Sequence, residues 1–473
     1  MPVFRPGSTF IALIVAFAYF MENLDGAAIT IVLPQIAETY RLSPTAASLG
    51  ITAYMVSLAI FLAMSGWAAD RFGPRNVFCW AIAAFAVASA ACALSPHFWM
   101  FVAARAVQGI AAAFMSPVGR VIVLRTAPRH ELMNAFGITV WPGLIAPIVG
   151  QPVAGLIATY LSWQWVFLLN VPLGLIGVAL LLACVENRKE HGTRKLDVTG
   201  LVLTAISLAS LLYALDRLAR DTAHLGLTSV LLIVGAAAGV QAVRHARRHD
   251  APLIDVSLAR IRSFAATSIW GGTFFRVAMG AAPFLLPLLF QIGFGMTAFH
   301  ASLLMLAYAA GNLLMKAATN QMLRRFGFRR ILMVNGAIVV VSVLAFAALV
   351  PGVPLVPIAA VLLFAGLTRS LQFTSLNTLA YAEIPHGGMS NASALQSMVQ
   401  QIAFAFGIAL GAVVLSLSAT LRGVGPNAIG VVDFQIAFVV SALFTAAAIP
   451  SLRTLAQDVG DEVSGYSARP AAD

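Results

Sequence analysis

Residues 10–33 read F-I-A-L-I-V-A-F-A-Y-F-M-E-N-L-D-G-A-A-I-T-I-V-L, a largely apolar run that holds two carboxylates, Glu22 and Asp25. A run of roughly 18 or more apolar residues can cross a bilayer as a helix. An acid near the bilayer centre costs on the order of 3 kcal/mol or more, and such residues mark ion or proton pathways. The i, i+3 spacing puts both acids on one helix face. The run is too long for a signal-peptide core and carries acids, so it is expected to be retained rather than cleaved.

The rest of the chain repeats the apolar theme. Of its 473 residues, 60% are hydrophobic and only 10% are charged, with a mean hydropathy of +0.90. A soluble protein of this size carries about 25% charged residues. No β-barrel alternation is visible, so the backbone must satisfy itself in lipid as helices. Spans are expected near 10–33, 47–69, 77–95, 98–120, 134–160, 164–184, 198–215, 225–243, 264–291, 298–319, 331–350, 354–378, 392–418 and 432–451. That makes fourteen, all α-helical, and Glu22 and Asp25 are taken as the only acids within them.

The net charge of +11 follows from this layout rather than from a nucleic-acid partner. With the N-terminus inside, 20 of the 29 Lys and Arg residues fall on the cytoplasmic side. Arg41, Arg217, Arg220 and Arg422 fall outside, and Arg105, Arg120, Arg276, Lys316 and Arg369 lie within spans. The positive-inside rule then places both termini in the cytoplasm. Cys79, Cys92 and Cys184 fit no metal motif and read as packing residues. His130, His191, His245 and His249 sit in basic segments and read as solvated, so no metal is expected.

An internal echo organises the chain. Asp70-Arg71-Phe72-Gly73-Pro74-Arg75 follows span 2, and Arg324-Arg325-Phe326-Gly327-Phe328-Arg329 follows span 10. Removing two middle spans aligns two six-helix halves, a hallmark of secondary transporters with a midplane site. The expected divisions are 1–190 (first half), 191–260 (two extra spans with basic flanks), 261–452 (second half) and 453–473 (a mobile cytoplasmic tail).

Read together, the local motifs resemble the major facilitator superfamily, specifically its fourteen-span drug:H+ antiporter family. The stretches carrying the likeness are F-M-E-N-L-D-G-A-A-I-T-I-V-L-P (Phe20–Pro34), G-W-A-A-D-R-F-G-P-R (Gly66–Arg75), R-A-V-Q-G (Arg105–Gly109) and S-W-Q-W-V-F-L-L-N-V-P-L-G (Ser162–Gly174). In the second half, Arg276–Pro287 and Gln372–Thr378 look most like the MdtD branch of multidrug exporters. The resemblance implies a major facilitator fold and proton coupling by Glu22, Asp25, Arg105 and Gln108. Which of Glu22 and Asp25 carries the proton is left open by the sequence, with Asp25 favoured because it occupies the first-helix motif. An adjacent cation and burial act oppositely on a carboxylate, the balance that proton exchange near neutral pH needs.

Gly66, Asp70, Arg71, Gly73 and Arg75 are expected to form a cytoplasmic gate. Gly66 and Gly73 would allow close approach and a sharp turn, while Asp70 and the arginines reach neighbouring helix ends. Gly143, Pro147, Gly150 and Gly155 would form the antiporter packing motif. Ala146 and Ala154 stand where the family usually has glycine, and Gln151 where it has proline.

The resemblance also places spans 1, 4, 9 and 12 around a central cavity. Arg276 lies about 18 Å into its span, near mid-membrane, and Arg369 is similarly deep. A buried arginine cannot discharge and needs a partner. Arg276, Lys316, Arg369, Asn312 and Gln372 are therefore candidate cavity residues. The expected function is proton-coupled export of small molecules across the bacterial inner membrane by a monomer, powered by the proton gradient with no bound cofactor. An organic anion of the citrate type, or its metal chelate, is the alternative substrate. A non-transporting sensor is the remote alternative, and nothing in the motifs reads as an enzyme site.

Overall fold

The computed structural model describes residues 8–126, 132–187, 196–220, 225–249, 252–253, 255–384, 389–424, 428–456, 459–464 and 466. The expected His130 and His191 lie outside them. The described residues form fourteen long helical segments. They are α1 (Ser8–Thr39), α2 (Pro44–Leu62), α3 (Pro74–Ala93), α4 (Phe98–Thr126), α5 (Leu132–Tyr160), α6 (Gln164–Cys184) and α7 (Val198–Arg220). They continue with α8 (Leu225–Arg248), α9 (Arg262–Gly293), α10 (Ala298–Phe326), α11 (Phe328–Ala347), α12 (Leu355–Ala380), α13 (Met389–Leu421) and α14 (Val431–Leu452). Thirteen are long and apolar enough to cross a membrane. The other, α5, is helical over 29 residues, with Ile145–Tyr160 as its described apolar stretch.

The second span ends earlier than expected. Ser65 donates to the Leu62 carbonyl at 2.7 Å, and Ser65–Phe72 becomes a separate short helix. A serine that bonds the preceding turn competes with helix continuation. The ninth span is also irregular. Ala265–Ile269 and Leu289–Gly293 are π-helical, and Trp270 breaks the helix at φ −87°, ψ −91°. Gly271 and Gly272 follow, and a Cβ on Gly272 would fall 1.5 Å from the Thr267 carbonyl oxygen.

Helix pairings repeat with an offset of eight. The contacts α1/α5, α2/α4, α3/α4 and α3/α6 recur as α9/α13, α10/α12, α11/α12 and α11/α14. The two sets meet through α2/α13 and α5/α10, while α7 packs on both α2 and α13 and so occupies the seam between them. The echo noticed in the sequence recurs in detail. Gly73 and Gly327 both take positive φ, 87° and 70°, between consecutive helices. Arg75 Nη1 donates to the Val185 carbonyl at 3.1 Å, and Arg329 Nη2 donates to the Arg453 carbonyl at 3.2 Å. Each ties its turn to the chain leaving α6 or α14.

One expectation is corrected. Asp433, the second residue of the last expected span, is a further span acid, and the observed α1 and α7 also take in Glu38 and Asp216; Asp433 is buried and bonded to Arg422, Ser418 and the Gly430 amide. It ties the end of α13 to the start of α14. Among the described residues beyond α14, Leu455 and Val459 are buried in one cluster with Phe328, Leu376 and Leu379, and Tyr466 lies beside Gly327.

Candidate functional site

Asp25 sits at the centre of a buried polar cluster. Arg105 Nη1 donates to Asp25 Oδ2 at 2.7 Å. Gln108 Nε2 and Asn170 Nδ2 each donate to Asp25 Oδ1 at 3.0 Å. Both amides also reach Ser89 Oγ, at 2.7 and 3.2 Å. Arg105 further donates to Gln108 Oε1 at 2.6 Å, and its guanidinium lies 4.4 Å from the Tyr54 ring centroid. The helices approach closely here because Gly109 faces backbone: a Cβ there would lie 2.2 Å from the Tyr54 carbonyl oxygen. Asp25, Arg105, Gln108 and Asn170 are all at most 1% exposed.

Glu22, one turn along α1, is placed differently. It accepts from Ser116 Oγ at 2.9 Å and lines two adjoining chambers. The central one, of about 340 Å³, is lined by Met55, Met279, Met305, Phe284, Tyr308, Asn312 and Arg369 among others. The second, of about 850 Å³, runs toward the arginine-rich end past Gly66, Asp70, Arg120, Asp197 and Leu253. Glu22, Asn23, Leu58, Gln401 and Phe404 belong to both.

The opposite end is closed. Ile31, Val32 and Ile36 of α1 pack in one core with Phe284, Leu288 and Phe290 of α9. Gln291 Nε2 donates to the Ile31 carbonyl at 2.9 Å, and Gln35 Nε2 to Gln291 Oε1 at 3.4 Å. Tyr40, Phe98, Phe101, Trp163 and Phe167 make tilted and edge-on ring contacts, Phe167 lies beside Arg105, and Trp163 is anchored to Thr39 Oγ1 at 2.9 Å. The Ser162–Gly174 motif therefore supplies both this aromatic packing and Asn170.

The candidate cavity residues divide. Arg369 and Asn312 line the central chamber. Arg369 lies 5.5 Å from the Tyr308 ring centroid and repeats the Arg105–Tyr54 arrangement, including a glycine, Gly366, that would bring a Cβ 2.1 Å from the Tyr308 carbonyl oxygen. Arg276 does not line either chamber. It donates to the Thr267 and Ser268 carbonyls at 2.9 and 3.4 Å and to Asn377 Oδ1 at 3.0 Å. The irregular start of α9 exposes those carbonyls, and the guanidinium satisfies them. Gln372 also turns away, bonding Asn335 and the Leu332 carbonyl. Lys316 is exposed and outside both chambers.

The gate residues gather at the arginine-rich end. Gly66 and Asp70 line the larger chamber, and Gly73 makes the turn against Asn187. Arg75 is tied to Val185, and Arg71 is exposed. Gly66 has nothing within 4 Å of an added Cβ, so the close approach expected of it is not present in this state. In the packing motif, Gly155 is the tight contact: a Cβ would lie 2.3 Å from Ser302 Oγ of α10. Gly150 faces Leu24 at 3.4 Å, whereas Gly143 and Pro147 line the central chamber. Gln151, the departure from proline, lines it too.

Ser89, Ser116 and Asn170 were missed in the sequence. Single hydroxyls and one amide in apolar runs carry no periodic signal, although Asn170 lay within a quoted motif.

The Major Facilitator Superfamily model matches residues 15–408. Proteins named "Putative multidrug resistance protein MdtD" from Escherichia coli K12 and Shigella boydii serotype 18 are 35% identical over 407 residues, covering 85% of this chain and 85% of theirs. Among solved structures, a D-xylose–proton symporter superposes with a TM-score of 0.65 at 15% identity, covering 94% of this chain and 98% of its own. A POT-family transporter in complex with 5-aminolevulinic acid gives 0.67 at 13%, covering 94% and 96%. With the eight-helix offset and the chambers between the two sets of helices, these matches establish that the chain is a multi-pass membrane transporter belonging to the Major Facilitator Superfamily.

Proposed function

We propose that the protein exports small molecules across the bacterial inner membrane in exchange for protons, and that Glu22 rather than Asp25 is the exchanging carboxylate. The carrying observation is the contrast between the two acids. Asp25 is enclosed by three donors and paired with Arg105, so it acts as a fixed counter-ion. Glu22 borders both chambers and holds one hydroxyl partner, Ser116. The arginine-rich end is assigned to the cytoplasm by the positive-inside rule, which makes this state inward-open. Both termini are then cytoplasmic. One chain encloses a complete pathway, so the working unit is a monomer with halves divided as the sequence suggests. No bound cofactor enters the cycle; the proton gradient drives it.

The central chamber supports a broad small-molecule range. Met55, Met279 and Met305 line it with Phe284 and Phe404, and methionine-rich walls adapt to varied ligands. The relatives' multidrug-resistance name agrees with that reading. Arg369 favours a second reading, an anionic substrate, because it lines the same chamber and its Nε is buried without an acceptor. Arg276 lends that reading no support, since it is held by carbonyls.

Proteoliposomes with an imposed pH gradient test the proposal. Cationic and neutral amphiphiles are expected to stimulate proton flux through the wild-type protein. Stimulation by carboxylates alone would select the anionic reading, and absence of proton flux during substrate transport would refute proton coupling.

A further inference from the structure

One group of ligating side chains stands apart from the proton and substrate machinery. Asp197 precedes α7, and His245 and His249 lie one turn apart at the end of α8. Asp197 and His245 are 48 residues apart in the chain, so sequence spacing did not reveal the group. In the fold, His245 Nε2 is 2.8 Å from Asp197 Oδ1. The two imidazole centroids are 5.1 Å apart, and one ligand atom from each of the three residues lies within 4.8 Å of the others.

The carboxylate is held in place. Asp197 is 6% exposed; Oδ1 accepts from the Gly200 amide at 2.8 Å and Oδ2 from the Leu253 amide at 3.2 Å. Asp197 and Leu253 also line the larger chamber.

We propose that Asp197, His245 and His249 bind a divalent transition-metal ion of the Zn²⁺ type at the mouth of the larger chamber. Two imidazoles and a carboxylate suit zinc and its neighbours rather than Mg²⁺ or Ca²⁺, which take oxygen ligands. The i, i+4 spacing presents both rings on one helix face. Three protein ligands leave one position for water. Bonds of about 2.0–2.1 Å bring tetrahedral ligand atoms to about 3.3 Å apart, so the group must draw in. His249 follows the last helical residue and is exposed, and rotation of its side chain can supply that movement. Coordination replaces the hydrogen bond between His245 Nε2 and Asp197 Oδ1. Arg244, Arg247 and Arg248 share this helix end and oppose a dication; salt screening at an exposed rim limits their effect. A bound ion ties the start of α7, the end of α8 and the Leu253 segment together, fixing one wall of the chamber mouth.

The test is titration of untagged, full-length protein in detergent with Co²⁺ as an optical probe. The wild type is expected to bind one saturating equivalent with visible absorption bands of a four- or five-coordinate site, displaced by Zn²⁺. His249→Ala, at an exposed helix end, should weaken binding by at least about tenfold, the range seen when even outer partners of a metal site are removed. Asp197→Asn keeps an acceptor for the Gly200 amide, and so the helix cap, yet should weaken binding comparably. No saturable binding by the wild type, or unchanged affinity in either variant, overturns the assignment.

Discussion

Asp25 and Arg105 are both buried, and each is the other's charge partner. Removing one member of such a pair leaves an uncompensated buried charge and costs roughly 3–5 kcal/mol. Arg105→Ala is therefore predicted to lower the melting temperature and yield of the purified protein. Glu22→Gln, which keeps a hydrogen-bonding group beside Ser116, should leave both near wild type. Arg276 gives a second prediction at this scale. Arg276→Met strips the guanidinium from the Thr267 and Ser268 carbonyls, so it should lower thermal stability while leaving the ranking of transported substrates unchanged across a panel. A changed ranking would return Arg276 to the cavity. The charged members of the site were legible because a charge in an apolar span is costly and conspicuous. Their partners were not: Asn170 is 145 residues from Asp25, and nothing local distinguishes it from a packing amide. The direction in which Arg276 points depends on a helix irregularity that its charge does not announce.

At the scale of helices, the fold rests on places where two backbones touch. Gly109 against Tyr54 and Gly366 against Tyr308 are the same contact in the two halves. Gly366→Ala would drive a Cβ to 2.1 Å from a backbone oxygen, and overpacking of this kind costs about 1–3 kcal/mol. We predict a clear fall in melting temperature for Gly366→Ala and none for Gly66→Ala, where space is open in this state. Span existence was legible throughout from apolar length. Span ends were not, because they depend on local side-chain bonds such as Ser65 to Leu62. The paired turns at Gly73 and Gly327 were legible as a sequence echo, and their matching arginine-to-carbonyl ties explain why the echo persists.

For the whole molecule, the chambers face one end and the other is sealed by α1 against α9. Gln35 and Gln291 bond across that seal. In a variant with the native cysteines replaced by serine, Gln35→Cys with Gln291→Cys is predicted to react with a short thiol cross-linker and to stop transport. Cleaving a reducible cross-linker should restore it; full transport by the cross-linked protein would show that this seal need not open. The place of α7 at the seam was not legible, since an apolar span carries no mark of which neighbours it will meet. The central claim concerns the division of labour between the two acids of α1. It is tested most directly by comparing Glu22→Gln and wild type in proteoliposomes, measuring substrate counterflow without a pH gradient and accumulation with one. The predicted result is counterflow near the wild-type rate with gradient-driven accumulation lost. Accumulation that survives in Glu22→Gln would contradict the account and return the proton to Asp25.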